Sequence, residues 1–380
     1  MRIVFIVQGE GRGHMTQALA LEEILTKAGH RITDTVIGTC DRRRIPDYFS
    51  ERTSAQLHRV ESPNFHFDKE DKSSNIRQTF FKNVARIPLY LKELGVIDKI
   101  VKDARADTVI NFYDVLGGYY FLFYRPRVKR ICIAHQYLAA HPEFPFNEDY
   151  PFQKFFFKLN NRVTSFFAHK RLALSFTDLP EKNNKLNIVP PLLRKEVLKL
   201  KPNKGDFILA YVVNKGYGYD ILKWHEKNKK VKVHCFWDNF EKPDEWSPRE
   251  NITFHHINDK KFITYLANCL GYVSTAGFES ICEAMYLAKP IMMVPVEGQY
   301  EQLCNALDAQ RVGAGIIAEE FQLGRLLSHI TTRPKKVRGF KTWVRSNRNI
   351  ILKEIEDFVP YKSHEEKRIF RIGEIILNNR

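Results

Sequence analysis

Val273-Ser274-Thr275-Ala276-Gly277-Phe278-Glu279-Ser280-Ile281-Cys282-Glu283-Ala284 is the stretch that decides the fold. An apolar, β-rich run enters a glycine turn and leaves as a helix. The first N–H groups of a helix lack intrahelical partners, and with the helix dipole they favour an anion. Glu283 follows Gly277 by six residues, roughly 9 Å along an axis rising about 1.5 Å per residue. A carboxylate there can accept from a ribose diol while phosphates sit at the helix start. Glu279 is less suited to face phosphates, because like charges repel. The plain alternative is a capping acid and a surface acid. Downstream, Pro290 to Val294 reads as a buried strand, and the loop after it carries Glu297, Gln299, Glu301, Gln302 and Asn305. Neighbouring carboxylates and amides suit several sugar hydroxyls. In open α/β sheets, ligands bind beyond the carboxyl ends of the strands, where this loop falls.

Working outward, the same alternation recurs. Arg2 to Val7 reads as a strand, Gly9 to Gly13 as a glycine turn and Met15 to Ala28 as a helix. Ile32 to Ile37, Thr108 to Phe112 and Lys129 to Ala134 read as further strands. Phe207 to Val213, Val231 to Phe236, Ile252 to His255 and Gly271 to Ser274 restart the pattern, with a turn at Asn214-Lys215-Gly216-Tyr217-Gly218. Strands alternating with helices predict an α/β protein with parallel sheets. Val189-Pro190-Pro191-Leu192-Leu193-Arg194 and the polar run to Gly205 suggest a hinge. The expected organisation is a Rossmann-like domain over 1–198, a linker over 199–205, a second such domain over 206–335, and helices over 336–380 packing back across a cleft. Trp343, Ile350, Ile351, Ile355 and Phe358 give one apolar face there. Ile369, Ile372, Ile375, Ile376 and Leu377 give another.

The chain has 380 residues and a net charge of +16, which favours an anionic partner over a neutral one. A solvated basic surface is the bland alternative. No apolar run reaches the roughly 18–20 residues needed to span a bilayer. The first apolar run is too short for a signal peptide and no cleavage pattern follows. The six cysteines form no C-x-x-C pair, so reduced thiols in a cytoplasmic protein are expected, and a metal site built on them is not. No D-x-D pair appears, and Asp41, Asp68 and Asp71 stand in separate contexts.

Gly9-Glu10-Gly11-Arg12-Gly13-His14 lets the backbone approach a ligand closely. A dinucleotide site would need G-x-G-x-x-G, but Met15 stands where the third glycine belongs. Only Asp41 is available as the ribose acid of such a site.

Together, Ser274, Gly277, Glu283-Ala284, Lys289-Pro290, Val294-Pro295, Glu301-Gln302 and Asn305-Ala306 resemble the donor-binding motif of GT-B glycosyltransferases. That group includes the N-acetylglucosaminyltransferases of the lipid-linked peptidoglycan precursor. The Gly9 to His14 loop resembles the acceptor-side loop of those enzymes. The resemblance implies two Rossmann-like domains facing a cleft, and a nucleotide sugar, UDP-linked, as co-substrate with no permanent cofactor. It sets Asn214 and Lys215 near the donor phosphates, and His256 and Ile257 at the base. Gly277, Phe278, Glu279 and Ser280 fall at the phosphate-facing helix start, Glu283 at the ribose, and Glu301 and Gln302 at the sugar. Glu301 departs from the amide found there in the peptidoglycan enzymes, so the sugar stays open.

The implied reaction is attack by an acceptor hydroxyl on the anomeric carbon, with inversion and without a metal. His14 is the expected general base, since an imidazole is neutral near pH 7. Glu10, Asp114 and His135 are alternatives. The plain reading of His14 is a helix-start histidine bonding the backbone. Gly9, Gly11, Arg12 and Gly13 form the acceptor-side loop.

Aromatic and basic residues interleave over 144–167 and 80–102, which suits a glycan or lipid-linked acceptor at an anionic membrane surface. A core helix with a solvated face is the plain alternative. Nucleic acid is not an expected partner, since no binding module appears. A nucleotide-sugar 2-epimerase of the same fold and a non-catalytic binder of nucleotide sugar or anionic polymer are the competing functions.

Overall fold

A computed structural model describes residues 1–39, 45–63, 83–180, 185–212, 214–332 and 337–357. Seven parallel strands make the first sheet: β1 (Arg2–Gln8), β2 (Arg31–Thr39), β3 (Gln56–Glu61), β4 (Thr108–Phe112), β5 (Lys129–Ala134), β6 (Lys170–Leu174) and β7 (Leu186–Val189). Their order is β3-β2-β1-β4-β5-β6-β7. The helices between them are α1 (Arg12–Lys27), α2 (Asp47–Arg52), α3 (Ile87–Asp103), α4 (Val115–Phe123) and α5 (Pro151–Val163), with a 3-10 turn at His135–Ala140. β1, β4 and β5 are almost wholly buried, as strands covered on both faces must be.

After α6 (Lys195–Lys199) comes a second sheet of β8 (Phe207–Val212), β9 (Lys232–Trp237), β10 (Glu245–Arg249), β11 (Ile252–His256), β12 (Gly271–Ser274), β13 (Ile291–Met293) and β14 (Ile316–Ile317). Its order is β10-β11-β9-β8-β12-β13-β14. Among the described strands only β10 runs antiparallel, at the edge. The accompanying helices are α7 (Lys215–Glu226), α8 (Asp259–Asn268), α9 (Phe278–Tyr286), α10 (Tyr300–Arg311) and α11 (Leu323–Thr331). In each sheet the strand order reverses beside the first strand, between β1 and β4 and between β8 and β12. Loops leaving those strands open a crevice at such a switch point, and the two crevices face each other.

Of two last helices, α12 (Phe340–Arg345) packs on α9 of the second domain and α13 (Asn347–Glu356) on β7 and α1 of the first. Trp343 Nε1 donates to the Ser175 carbonyl at 3.0 Å, and Asn347 Nδ2 donates to that of Pro191 at 2.6 Å. Ile351 and Ile355 are fully buried. Phe358 and the stripe from Ile369 to Leu377 fall outside the described residues, as do Cys40, Asp41, Asp68 and Asp71. The five described cysteines are free and buried.

Local details depart from the sequence reading at the glycines. α1 starts at Arg12, so Gly13 and His14 belong to its first turn. Lys215 to Gly218 is the start of α7 and not a turn. A Cβ on Gly218 would lie 2.4 Å from the Trp237 ring, so this glycine allows close packing of helix on strand.

Candidate active site

The crevices merge into one cleft of about 760 Å³. Glu10 to His14 follow β1, and Tyr113 follows β4. Asn214 follows β8, and Thr275 and Gly277 follow β12. All of these line the cleft. Gly9 does not. It packs on β2, where a Cβ would meet the Gly38 carbonyl at 2.7 Å. Two helices start at the cleft and pack on each other, α1 capped by Gly11 and α9 capped by Gly277. Ala276 holds a positive φ of 59°, an uncommon conformation for a residue with a Cβ. It turns the chain sharply from β12 into α9.

Among the described cleft-lining residues, Arg12 and Arg194 are the only arginines and there is no lysine. Carboxyls come from Glu10, Asp259, Glu279, Glu283 and Glu301. Arg194 grips Glu283 with two bonds of 2.6 Å, one to each oxygen. The side chains are 11% and 1% exposed. Arg52 reaches Asp259 at 2.8 Å and Arg12 reaches Asp238 at 3.5 Å. In all three pairs the arginine precedes β8 and the acid follows it.

A second chain of contacts joins the remaining polar groups. Gln136 Nε2 donates to Glu301 Oε1 at 2.8 Å and points at His14 Nε2 at 3.5 Å. His14 stacks on Tyr113, with ring centres 5.6 Å apart. Burial lowers the His14 pKa to about 4, with the neighbouring Gln17 side chain pulling the other way. Gln17 Nε2 in turn donates to Glu279 Oε2 at 3.1 Å. Burial, then the Glu283 charge, pushes the Glu279 carboxyl well above its usual range. Burial raises Glu301 to about 7, against the pull of the Gln136 bond.

The other expected positions separate into those at the cleft and those beside it. Ile257, Phe278, Ser280 and Gln302 line it. Gln302 Oε1 accepts from the Val296 N–H at 2.9 Å and so braces the loop after β13. Lys215 points elsewhere, to Glu241 at 2.8 Å, and is not among the lining residues. The His256 ring contacts the carbonyls of Asn239 and Lys242 at 3.0 and 2.9 Å, outside the lining.

Asp114 is a structural cap. Its carboxylate accepts from the N–H groups of Leu116 and Gly117 at the start of α4 and from Ser62, and it does not line the cleft. His135 does line it. Its Nδ1 bonds the Leu174 carbonyl at 2.7 Å, and its ring stacks on Phe278 with centres 4.0 Å apart. That stacking docks the α9 start onto the first sheet's loops.

No motif in the sequence alone marks Gln17 or Gln136, and Arg194 stands out there only as part of the hinge. All three act through partners more than 80 positions away. The signal that was available was the position of Gln136 two residues after β5, at a strand end.

The two facing Rossmann-like sheets, with the donor-type helix start at their cleft, define a GT-B glycosyltransferase. Residues 1–334 match the family model described as glycosyl transferase family 1, and the chain belongs to that family. A curated relative from Thermotoga petrophila is UDP-N-acetylglucosamine--N-acetylmuramyl-(pentapeptide) pyrophosphoryl-undecaprenol N-acetylglucosamine transferase. It is 34% identical over 83 residues, a stretch covering 20% of this chain and only 24% of that relative. The solved glycotransferase of kitacinnamycin shares the fold at a TM-score of 0.63 and 13% identity, over 94% of this chain and 98% of that one. LpCGTa in complex with UDP does so at 0.60 and 12%, over 91% and 94%. Among the described residues no helix is long and apolar enough to cross a membrane.

Proposed function

We propose that the protein moves a sugar from a UDP-linked donor to an acceptor hydroxyl, with inversion and without a required metal. The observation that carries this reading is the Gln136 amide. It lies between His14 on the first domain and Glu301 on the second, so the base and the sugar-facing acid address one point. The diphosphate sits at the α9 start near Gly277 and Ser280, with Arg194 and Arg12 as the nearby cations. Ile257 reads the base. Glu283 has about four lone-pair sites and Arg194 takes two, which leaves two for a ribose diol. Glu301 and Gln302 hold the sugar.

The acceptor oxygen forms its bond to the anomeric carbon as the bond from that carbon to the phosphate oxygen breaks. The electron pair leaves with the nucleoside diphosphate, and the hydroxyl proton passes to neutral His14. The choice of UDP is supported by LpCGTa, a protein of this fold solved in complex with that nucleotide.

The acceptor side supports an amphiphile. From His14 the cleft continues between α3 and α5 past Tyr119, Ile87, Phe156 and Leu159. The next turns of α5 present Phe152 and Phe155, 59% and 60% exposed. Lys154 and Lys158 lie over the Phe146 ring at 4.7 and 4.5 Å. Apolar rings beside cations suit an anionic membrane surface on the cytoplasmic side and a lipid-linked acceptor drawn from it. An epimerase acts on the donor alone and has no use for such a groove.

A thermal-shift panel of UDP, UDP-glucose and UDP-N-acetylglucosamine, on wild type and Glu283→Ala, tests the donor half with EDTA present. A ligand that binds the native state raises its melting point. The expected result is a shift in wild type that Glu283→Ala loses. No shift with any of the three would overturn the reading.

A further inference from the structure

We infer that Gln136 is a positioning residue that ties recognition of the donor sugar to the state of the base, an inference that rests on the reading above. Its carboxamide carries two N–H hydrogens on one nitrogen. That nitrogen is 2.8 Å from Glu301 Oε1 and 3.5 Å from His14 Nε2. The short bond to a carboxylate is the stronger hold, so Glu301 sets where the amide points. An N–H aimed at Nε2 meets it as an acceptor, which places the ring proton of His14 on Nδ1 and leaves the Nε2 lone pair under the amide.

The backbone keeps the amide in place from behind. Asn161 Nδ2 donates to the Gln136 carbonyl at 2.9 Å, and Gln136 itself is buried. His14 has little freedom either, stacked on Tyr113 with its ring planes 23° apart. The carboxamide is therefore the movable member of the three. When sugar hydroxyls take over Glu301, the amide loses its short bond and turns off Nε2. The place it leaves, between base and sugar, is where the acceptor oxygen must sit. Without a sugar on Glu301 the base stays covered.

Ring ¹⁵N spectra of histidine-labelled protein test this, with the His14 signal assigned by His14→Asn. In wild type without ligand, His14 is expected as the Nδ1–H tautomer. UDP-N-acetylglucosamine or UDP-glucose should move its nitrogen shifts, and UDP alone should not. Gln136→Leu should shift the tautomer toward Nε2–H and abolish the response to the sugar.

Gln136→Asn, which keeps the amide but shortens its reach, gives the same comparison should the leucine variant not fold. If wild type binds a UDP-sugar and either variant leaves the His14 spectrum and its response to the sugar unaltered, the inference is overturned. If wild type binds neither UDP-sugar, the donor reading fails instead. The ligand-free tautomer comparison then still decides whether Gln136 orients His14.

Discussion

Arg194→Met is the most informative single change for the donor side. The guanidinium makes two 2.6 Å bonds to Glu283, whose side chain is 1% exposed. Removing Arg194 leaves a carboxylate in the cleft wall with no cation against it, beside the already crowded Glu279. Breaking one side of a buried pair costs about 3–5 kcal/mol, most of it from the stranded charge. For domains of this size each kcal/mol moves the melting point by about 2–4 °C, so the expected drop is about 6–20 °C.

Arg194→Met combined with Glu283→Met removes the charge as well and should recover most of that loss. Urea titrations of the four species, followed by circular dichroism, give the coupling energy directly. A loss below about 1 kcal/mol in the single variant, the value usual for an exposed pair, would refute the argument. So would a double variant whose loss equals the sum of the two singles.

Three further outcomes follow from the site. Glu301 has a folded pKa of about 7 against an ordinary 4.5, so the folded state holds a proton the unfolded state has lost between those values. Wild type should therefore lose up to about 3 kcal/mol of stability relative to Glu301→Gln as pH rises from 4.5 through 7. Parallel slopes in pH-dependent denaturation would count against it. Asp114→Ala removes the cap of α4 and should cost about 1–2 kcal/mol. A change in kcat at unchanged stability would instead argue for a chemical role. Phe152→Ser with Phe155→Ser should weaken sedimentation with anionic vesicles at low salt about tenfold or more, from the apolar area lost. Unchanged sedimentation would remove the membrane from the account.

The fold was legible because its signals are local. A buried run ending in glycine and then a helical pattern marks a βα unit, and Thr108–Phe112, Lys129–Ala134 and Gly271–Ser274 came out with their observed bounds. The antiparallel edge β10 was not legible. Its sequence, Glu-Trp-Ser-Pro-Arg, contains a proline and is polar, as edge strands are, and so it reads as loop. Glycines misled in the same local way. Gly216 and Gly218 suggest a turn, but the space Gly218 leaves is filled by the Trp237 ring from β9. That contact is with a side chain in the next strand, and no window along the chain contains it.

The same distinction divides the site. Gly277 and Glu283 stand in one stretch, where spacing alone sets a helix start and an acid on that helix, whereas Glu301, Gln302 and Asn305, read as loop residues, lie on the first turns of α10. Arg194, Gln17 and Gln136 are ordinary residues until the two domains close, and each then meets one of the acids of that stretch. Charge follows the same division: Arg12, Arg52 and Arg194 come from the first part of the chain, and Asp238, Asp259 and Glu283 from the second. Neither wall alone is built to hold a diphosphate next to a sugar. The second has the helix start and the hydroxyl-binding acids but little positive charge at the cleft, and the first has the arginines and the base. The proposed donor, seated on the second domain, would therefore need the arginines and the base of the first. The strip from Ser274 to Ala306 supplies one wall of the cleft, and the residues that meet its acids across the cleft come from the other.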